Sequence, residues 1–381
     1  AKKAPQPNKS AARTEDQSQD RQGKNMILKI GLWIMAIGLL TISAGSLAAQ
    51  STEETGSLQV LAISTSPRLE PAPQMQDYLD AFKLVHDTGV DGDLFSARWN
   101  ELEGADSKYL FDDFLDGMGS YESIYPDTLM FEIQAINTTA KETPPDLMNL
   151  PFDDPQMLAR FNALIDAALP KFGKYVRYLA IGNEVDVYLA NHPQEWAAYK
   201  TFYDGVVAHL HEVAPQIQVA VTVTYDGLLH HTDEIDQLNE HSDAFSVTYY
   251  PLGAGFSADN PDAPLTDFPK IVEMAHGLPV LLQEVGYPSA DLLHSSEDEQ
   301  VEFVKSVFAA WKSAGDAIPY LNYFLLHDFN EDLCTAFEGY YGIKEPHFHA
   351  YLCTLGLRQA DGTPKLAWQT FVDEAAKWRS G

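Results

Sequence analysis

From residue 58 onward, short apolar runs alternate with longer amphipathic stretches eight times over. The runs fall at 58–64, 92–99, 128–135, 178–181, 218–224, 244–248, 278–283 and 320–326. Each is too short for a helix and is bounded by turn residues, the pattern of a buried parallel strand. Helical spacing marks the segments between them, at 75–85, 109–118, 155–169, 193–213, 297–314 and 365–378. At 155–169, Pro155 opens the first turn and Met157, Leu158, Phe161, Leu164 and Ile165 line one face. Strands alternating with helices imply right-handed βαβ units and a parallel sheet. Eight of them suit a closed barrel better than an open sheet. The expected fold class is α/β, a single (β/α)8 barrel over 58–381. With 381 residues, 45% of them hydrophobic, the chain can fill one such domain and its insertions. No glycine-rich phosphate loop follows the first strand, which argues against a nucleotide-binding fold.

In sheets of this kind ligands bind where the strands end. Two ends stand out. Tyr178-Leu-Ala-Ile runs into Gly182, Asn183 and Glu184, and Val280-Leu-Leu-Gln runs into Glu284-Val-Gly-Tyr287-Pro. Two carboxylates ending two parallel strands of one barrel face each other across its mouth. Glycoside hydrolysis uses that arrangement, with one acid to protonate the leaving oxygen and one carboxylate to attack.

Gly182-Asn183-Glu184 together with Glu284-Val-Gly-Tyr-Pro resembles the motifs of the clan A glycoside hydrolases. Those are (β/α)8 barrels with an acid/base Glu after strand 4 and a nucleophilic Glu after strand 7. The similarity covers about 58–378. It implies that Glu184 is the general acid and then the base, that Glu284 attacks the anomeric carbon, and that Asn183 binds the sugar 2-hydroxyl. It also implies that Arg98 sits by the nucleophile and keeps it ionised. One of Tyr249 and Tyr250 would contact Glu284, with Tyr249 the first choice. The segment 356–368 is similar to the clan's usual ending, a hairpin-like turn into the last helix. One departure concerns strand 8, where many members carry a Trp and this chain reads Phe324-Leu-Leu-His327.

Trp99, Asn137, Tyr225, Tyr287 and His327 complete the expected rim, with aromatic faces for sugar C–H surfaces and polar groups for hydroxyls. The implied activity is retaining hydrolysis of a β-linked glycan without a cofactor. The motif after strand 7 is closer to endo-β-1,3-glucanases, and Tyr249-Tyr-Pro251 to endo-β-1,4-galactanases, so the sugar stays open. Two alternatives use the same barrel: a transglycosylase with the same carboxylates, and a carbohydrate-binding protein without turnover. A lyase or aldolase fits less well, because no strand ends in Lys or in a metal-ligand cluster. His347 and His349 form a His-x-His pattern without further ligands in view.

Residues 1–25 are polar and aperiodic, read as unstructured or upstream of the true start. Basic residues, an apolar run and a small-residue end over 26–49 describe a secretory leader. An uncleaved membrane anchor is the alternative. A linker at 50–57 follows. The expected product is a secreted or periplasmic monomer. The whole chain's formal charge of −30 repels phosphate backbones and argues against nucleic acid as a partner. Export makes a disulfide between Cys334 and Cys353 feasible, although spacing alone cannot decide it.

Overall fold

The computed structural model describes residues 59–380; the leader, the segment before it and the 50–57 linker lie outside the described residues. The barrel strands are β1 (Val60–Ile63), β2 (Gly92–Arg98), β3 (Thr128–Asn137), β4 (Val176–Asn183), β5 in two pieces (Gln218–Ala220 and Thr222–Thr224), β6 (Phe245–Tyr249), β7 (Val280–Val285) and β8 (Tyr320–Tyr323). Neighbours pair in parallel. The hydrogen-bonded path begins at Gln218–Ala220 and ends at Thr222–Thr224. Only Val221 separates these two pieces, so the sheet closes on itself. A two-residue strand, Ala140–Lys141, folds back antiparallel on the end of β3.

The helices that follow the strands are α1 (Met75–His86), α2 (Asp112–Ile124), α3 (Pro155–Phe172), α4 (Trp196–Val213), α5 (Thr232–Leu238), α6 (Pro264–Met274), α7 (Glu297–Ala314) and α8 (Leu366–Ser380). Local chemistry sets their starts. The Ser296 hydroxyl caps α7 by accepting from the Glu299 N–H. α2 begins three residues later than its apolar pattern suggests, where Asp112 and Asp113 sit in a first turn that favours negative charge. Strand periodicity divides the core in two. Outward residues such as Leu61, Phe131, Ile133, Leu179 and Ile181 pack under the helices. Inward residues at the base of the barrel form a separate cluster that includes Met130, Tyr178, Ala180, Leu281 and Tyr320.

An unforeseen element follows β8. Helices Glu331–Tyr341 and Pro346–Leu352 form a cap joined by the Cys334–Cys353 disulfide, with Cα atoms 6.0 Å apart. Phe256, Phe329, Phe337, Tyr341, Phe348 and Tyr351 pack around that bond as a third cluster. Its base is pinned by the buried Lys365, whose Nζ donates to Asp328 Oδ1 at 2.8 Å and to the Thr354 carbonyl at 3.1 Å.

Candidate active site

The end of β4 is shaped by two residues in left-handed backbone. Gly182 has φ +93°, and a Cβ there would lie 2.6 Å from both Tyr199 Oη and Val185 Cγ1, so no other residue fits. Glu184 itself has φ 47° and ψ 44°, a conformation that costs a side-chain-bearing residue about 1–2 kcal/mol. This bend delivers the Glu184 carboxylate to two hydroxyls. Thr138 Oγ1 donates to Oε2 and Thr248 Oγ1 to Oε1, each at 2.8 Å.

Glu284 lies on β7, and its Oε2 accepts a 2.5 Å hydrogen bond from the Tyr250 hydroxyl. Thr248 is the register partner of Glu284 across β6 and β7. A single residue therefore bonds one carboxylate and sits beside the other.

Both carboxylates open into one cleft of two lobes. The smaller, about 270 Å³, is lined by Glu184, Glu284, Asn183, Thr138, Tyr250 and the cap's Tyr351, among others. The larger, about 550 Å³, runs toward β1–β3 past Asp93, Ser96, Arg98, Glu132, Gln134 and Gln283. Glu284, Phe324, Phe329, Phe337 and Tyr341 line both. Tyr340 carries the cap across the mouth to the β3 side. Its hydroxyl donates to Glu142 Oε1 at 2.9 Å and accepts from Asn137 Nδ2 at 3.1 Å.

Burial raises the Glu184 carboxyl, against the lowering effect of its two Thr hydrogen bonds. Glu284 is raised well above the carboxylate range, first by burial and then by the charge of Glu184; Tyr250 opposes this and Glu132 adds to it. The charge of one carboxyl therefore disfavours ionisation of the other.

Several rim expectations are corrected by strand parity. Thr248 points inward, so Tyr249 points outward, where its hydroxyl donates to Asp267 at 2.7 Å and its ring packs on Phe268. Tyr250, not Tyr249, holds Glu284. Trp99 is fully buried behind the barrel against Phe161 and bonds Glu103. Tyr287 is likewise buried, stacked on Phe303. Tyr225 packs on Tyr249 outside the cleft. His327 is turned to the Ser66 carbonyl, and burial lowers its pKa to about 4. Arg98 does line the larger lobe, but its guanidinium binds Glu101 at 2.5 Å and makes no hydrogen bond to Glu284. The ionising role given to it does not hold. Asn137 and Asn183 do meet at the cleft, the Asn183 amide donating to Asn137 at 3.1 Å.

Phe324 occupies the strand-8 position where a Trp was expected, and it lines both lobes. Glu132 and the cap aromatics were missed. The signal for Glu132 was available in the sequence: Glu132 and Gln134 break the apolar run of β3 at period two, on the same face.

With this geometry in hand, the comparisons with known proteins can be read. No protein-family model matches the chain, and no curated protein is similar to it. Solved structures do match. An exo-β-1,4-mannosidase from an Opitutaceae bacterium superposes with a TM-score of 0.65 at 16% identity, over 87% of this chain and 63% of that one. The chain thus spans less than two thirds of the mannosidase. A GH5_18 protein from Streptomyces cattleya, solved with GlcNAc, gives 0.66 at 11% identity, over 86% and 82%. A psychrophilic family 10 endo-β-1,4-xylanase gives 0.56 at 10% identity, over 83% and 96%. The chain shares the (β/α)8 barrel fold of these glycoside hydrolases.

Proposed function

We propose that the protein is an exported retaining β-glycoside hydrolase, with Glu184 as acid/base and Glu284 as nucleophile. The observation that carries this reading is the shared cleft, in which Thr248 bonds Glu184 and neighbours Glu284 in register. Retention requires the two carboxyls to lie about 5–5.5 Å apart, close enough for one to attack while the other protonates. In this reading Glu184 is protonated at the start of the first step, as its burial favours. Glu184 gives its proton to the glycosidic oxygen as Glu284 attacks the anomeric carbon from the opposite face. Glu184 then removes a proton from the water that releases the sugar. Tyr250 fixes Glu284 in its attacking orientation, and Phe324 offers a ring to the sugar face. The barrel neighbours include a mannosidase and a xylanase, which supports a β-linked glycan as substrate without choosing the sugar.

Turnover of aryl β-glycosides by Glu284→Ala and Glu184→Ala tests the assignment. The Glu284 variant should lose activity and regain it with azide, giving a glycosyl azide of inverted configuration. The Glu184 variant should still cleave an activated aryl leaving group and fail on a poor one. Full activity in either variant would sink the reading.

A further inference from the structure

Glu132 is 1% exposed at the centre of β3, facing into the barrel. Its Oε2 accepts from the Gln134 amide at 2.8 Å and the Thr222 hydroxyl also favours its charge, while no geometric hydrogen bond reaches Oε1 among the described residues and the side chain lines the larger lobe. Gln283, on the same lobe and 1% exposed, also leaves its side-chain Oε1 without a hydrogen bond among the described residues. Buried acceptors left open cost stability unless a ligand supplies donors. Among the described residues the lobe carries one Arg, Arg98, and Glu101 engages it. An anionic ligand would find no free cation there and would meet buried carboxyls.

We propose that Glu132 selects the sugar. Its Oε1 accepts a hydrogen bond from a hydroxyl of an uncharged glycone, and the lobe around it excludes uronic acids. This rests on the glycosidase reading, in which the lobe reached by the nucleophile but not by the acid holds the glycone. When ionised, this carboxyl accepts on both oxygens and, unlike an amide, cannot turn a donor toward the sugar.

The test compares aryl β-hexosides with aryl β-glucuronide, alongside calorimetric binding of a neutral disaccharide and its uronic acid counterpart. Wild-type protein should favour the neutral substrate at least about 100-fold in kcat/KM. Glu132→Gln should lower kcat/KM on the neutral sugar by roughly 10–100-fold, the value of a hydrogen bond to a charged group. It should also narrow the preference over the uronide and move the acid limb of the pH profile downward, since one charge raising Glu284 is gone. A purely structural Glu132 would shift the limb through its charge but leave the preference unchanged, and an unchanged preference overturns the proposal. Equal use of uronide by wild-type protein overturns it without any variant. If nothing is cleaved but neutral-sugar binding still weakens with Glu132→Gln, the hydrolase reading fails and this one stands. Absence of sugar binding overturns both.

Discussion

The lower and upper halves of the barrel interior are built on the same strands and obey opposite rules. Below, Tyr178 and Tyr320 meet edge to face at 5.7 Å among Met130, Ala180 and Leu281, a packed floor of apolar surface. Two residues further up the same strands stand Glu132 above Met130 on β3 and Gln283 above Leu281 on β7. Asn322 stands two residues above Tyr320 on β8 and donates both to the Gln283 carbonyl and to Ser64 Oγ. Thr222 and Ser246 pair at 2.9 Å. The floor carries stability, and the belt above it holds polar atoms that folding alone would discard. The difference teaches that the barrel supplies rigidity from its base and sacrifices packing at the end where strands deliver the candidate catalytic carboxyls.

The contrast is most severely tested at Glu284. Glu284→Ala should reduce turnover on the order of 10⁴-fold or more without lowering the melting temperature, because it removes a buried acid raised by its neighbours. Tyr178→Ala should do the reverse. It should destabilise the fold by about 3–5 kcal/mol in denaturant unfolding, while the surviving folded protein keeps its pH profile.

Glu132 sharpens the comparison through pH. Burial raises its pKa from 4.5 to about 7. The stability tied to the protonated form is therefore present below the unfolded value and lost as pH rises through the folded one. Glu132→Gln should match wild-type protein near pH 4 and exceed it at pH 8 by up to about 3 kcal/mol, read as a melting-temperature difference that opens between those values. A constant difference would place Glu132 with the floor. The smallest effect is expected of Tyr250→Phe, which removes one hydrogen bond to Glu284. Turnover should fall by roughly 10-fold, with KM little changed.

The sequence made the strands, their order and the two Glu motifs legible, because apolar runs and strand ends are local signals. Parity was harder. The β6 strand continues to Tyr249, one residue beyond its apolar run, and that single step exchanges Tyr249 for Tyr250 at Glu284. The same alternation carries Trp99 and Tyr287 outward. Arg98 was placed at the correct strand end, yet Glu101 one turn later captures it, a contact that a strand-end reading does not contain. The cap was illegible for a different reason. Its aromatics follow no strand, and their common address depends on a disulfide that spacing alone cannot assign.

Tyr340 gives that cap a further meaning. Its hydroxyl shares hydrogen bonds with Asn137 and Glu142 on the far side of the mouth, while Lys365 and the disulfide hold the root. A root that is covalently tied and a tip that is not make a latch. Releasing the tip breaks two or three hydrogen bonds, each worth about 0.5–1.5 kcal/mol, so an unlatched form would be populated at the level of about one molecule in a hundred. Under the glycosidase reading, a Tyr340→Phe protein should bind and release sugar faster than wild-type protein in stopped-flow measurements, and unchanged rates would show that the tip does not gate the cleft.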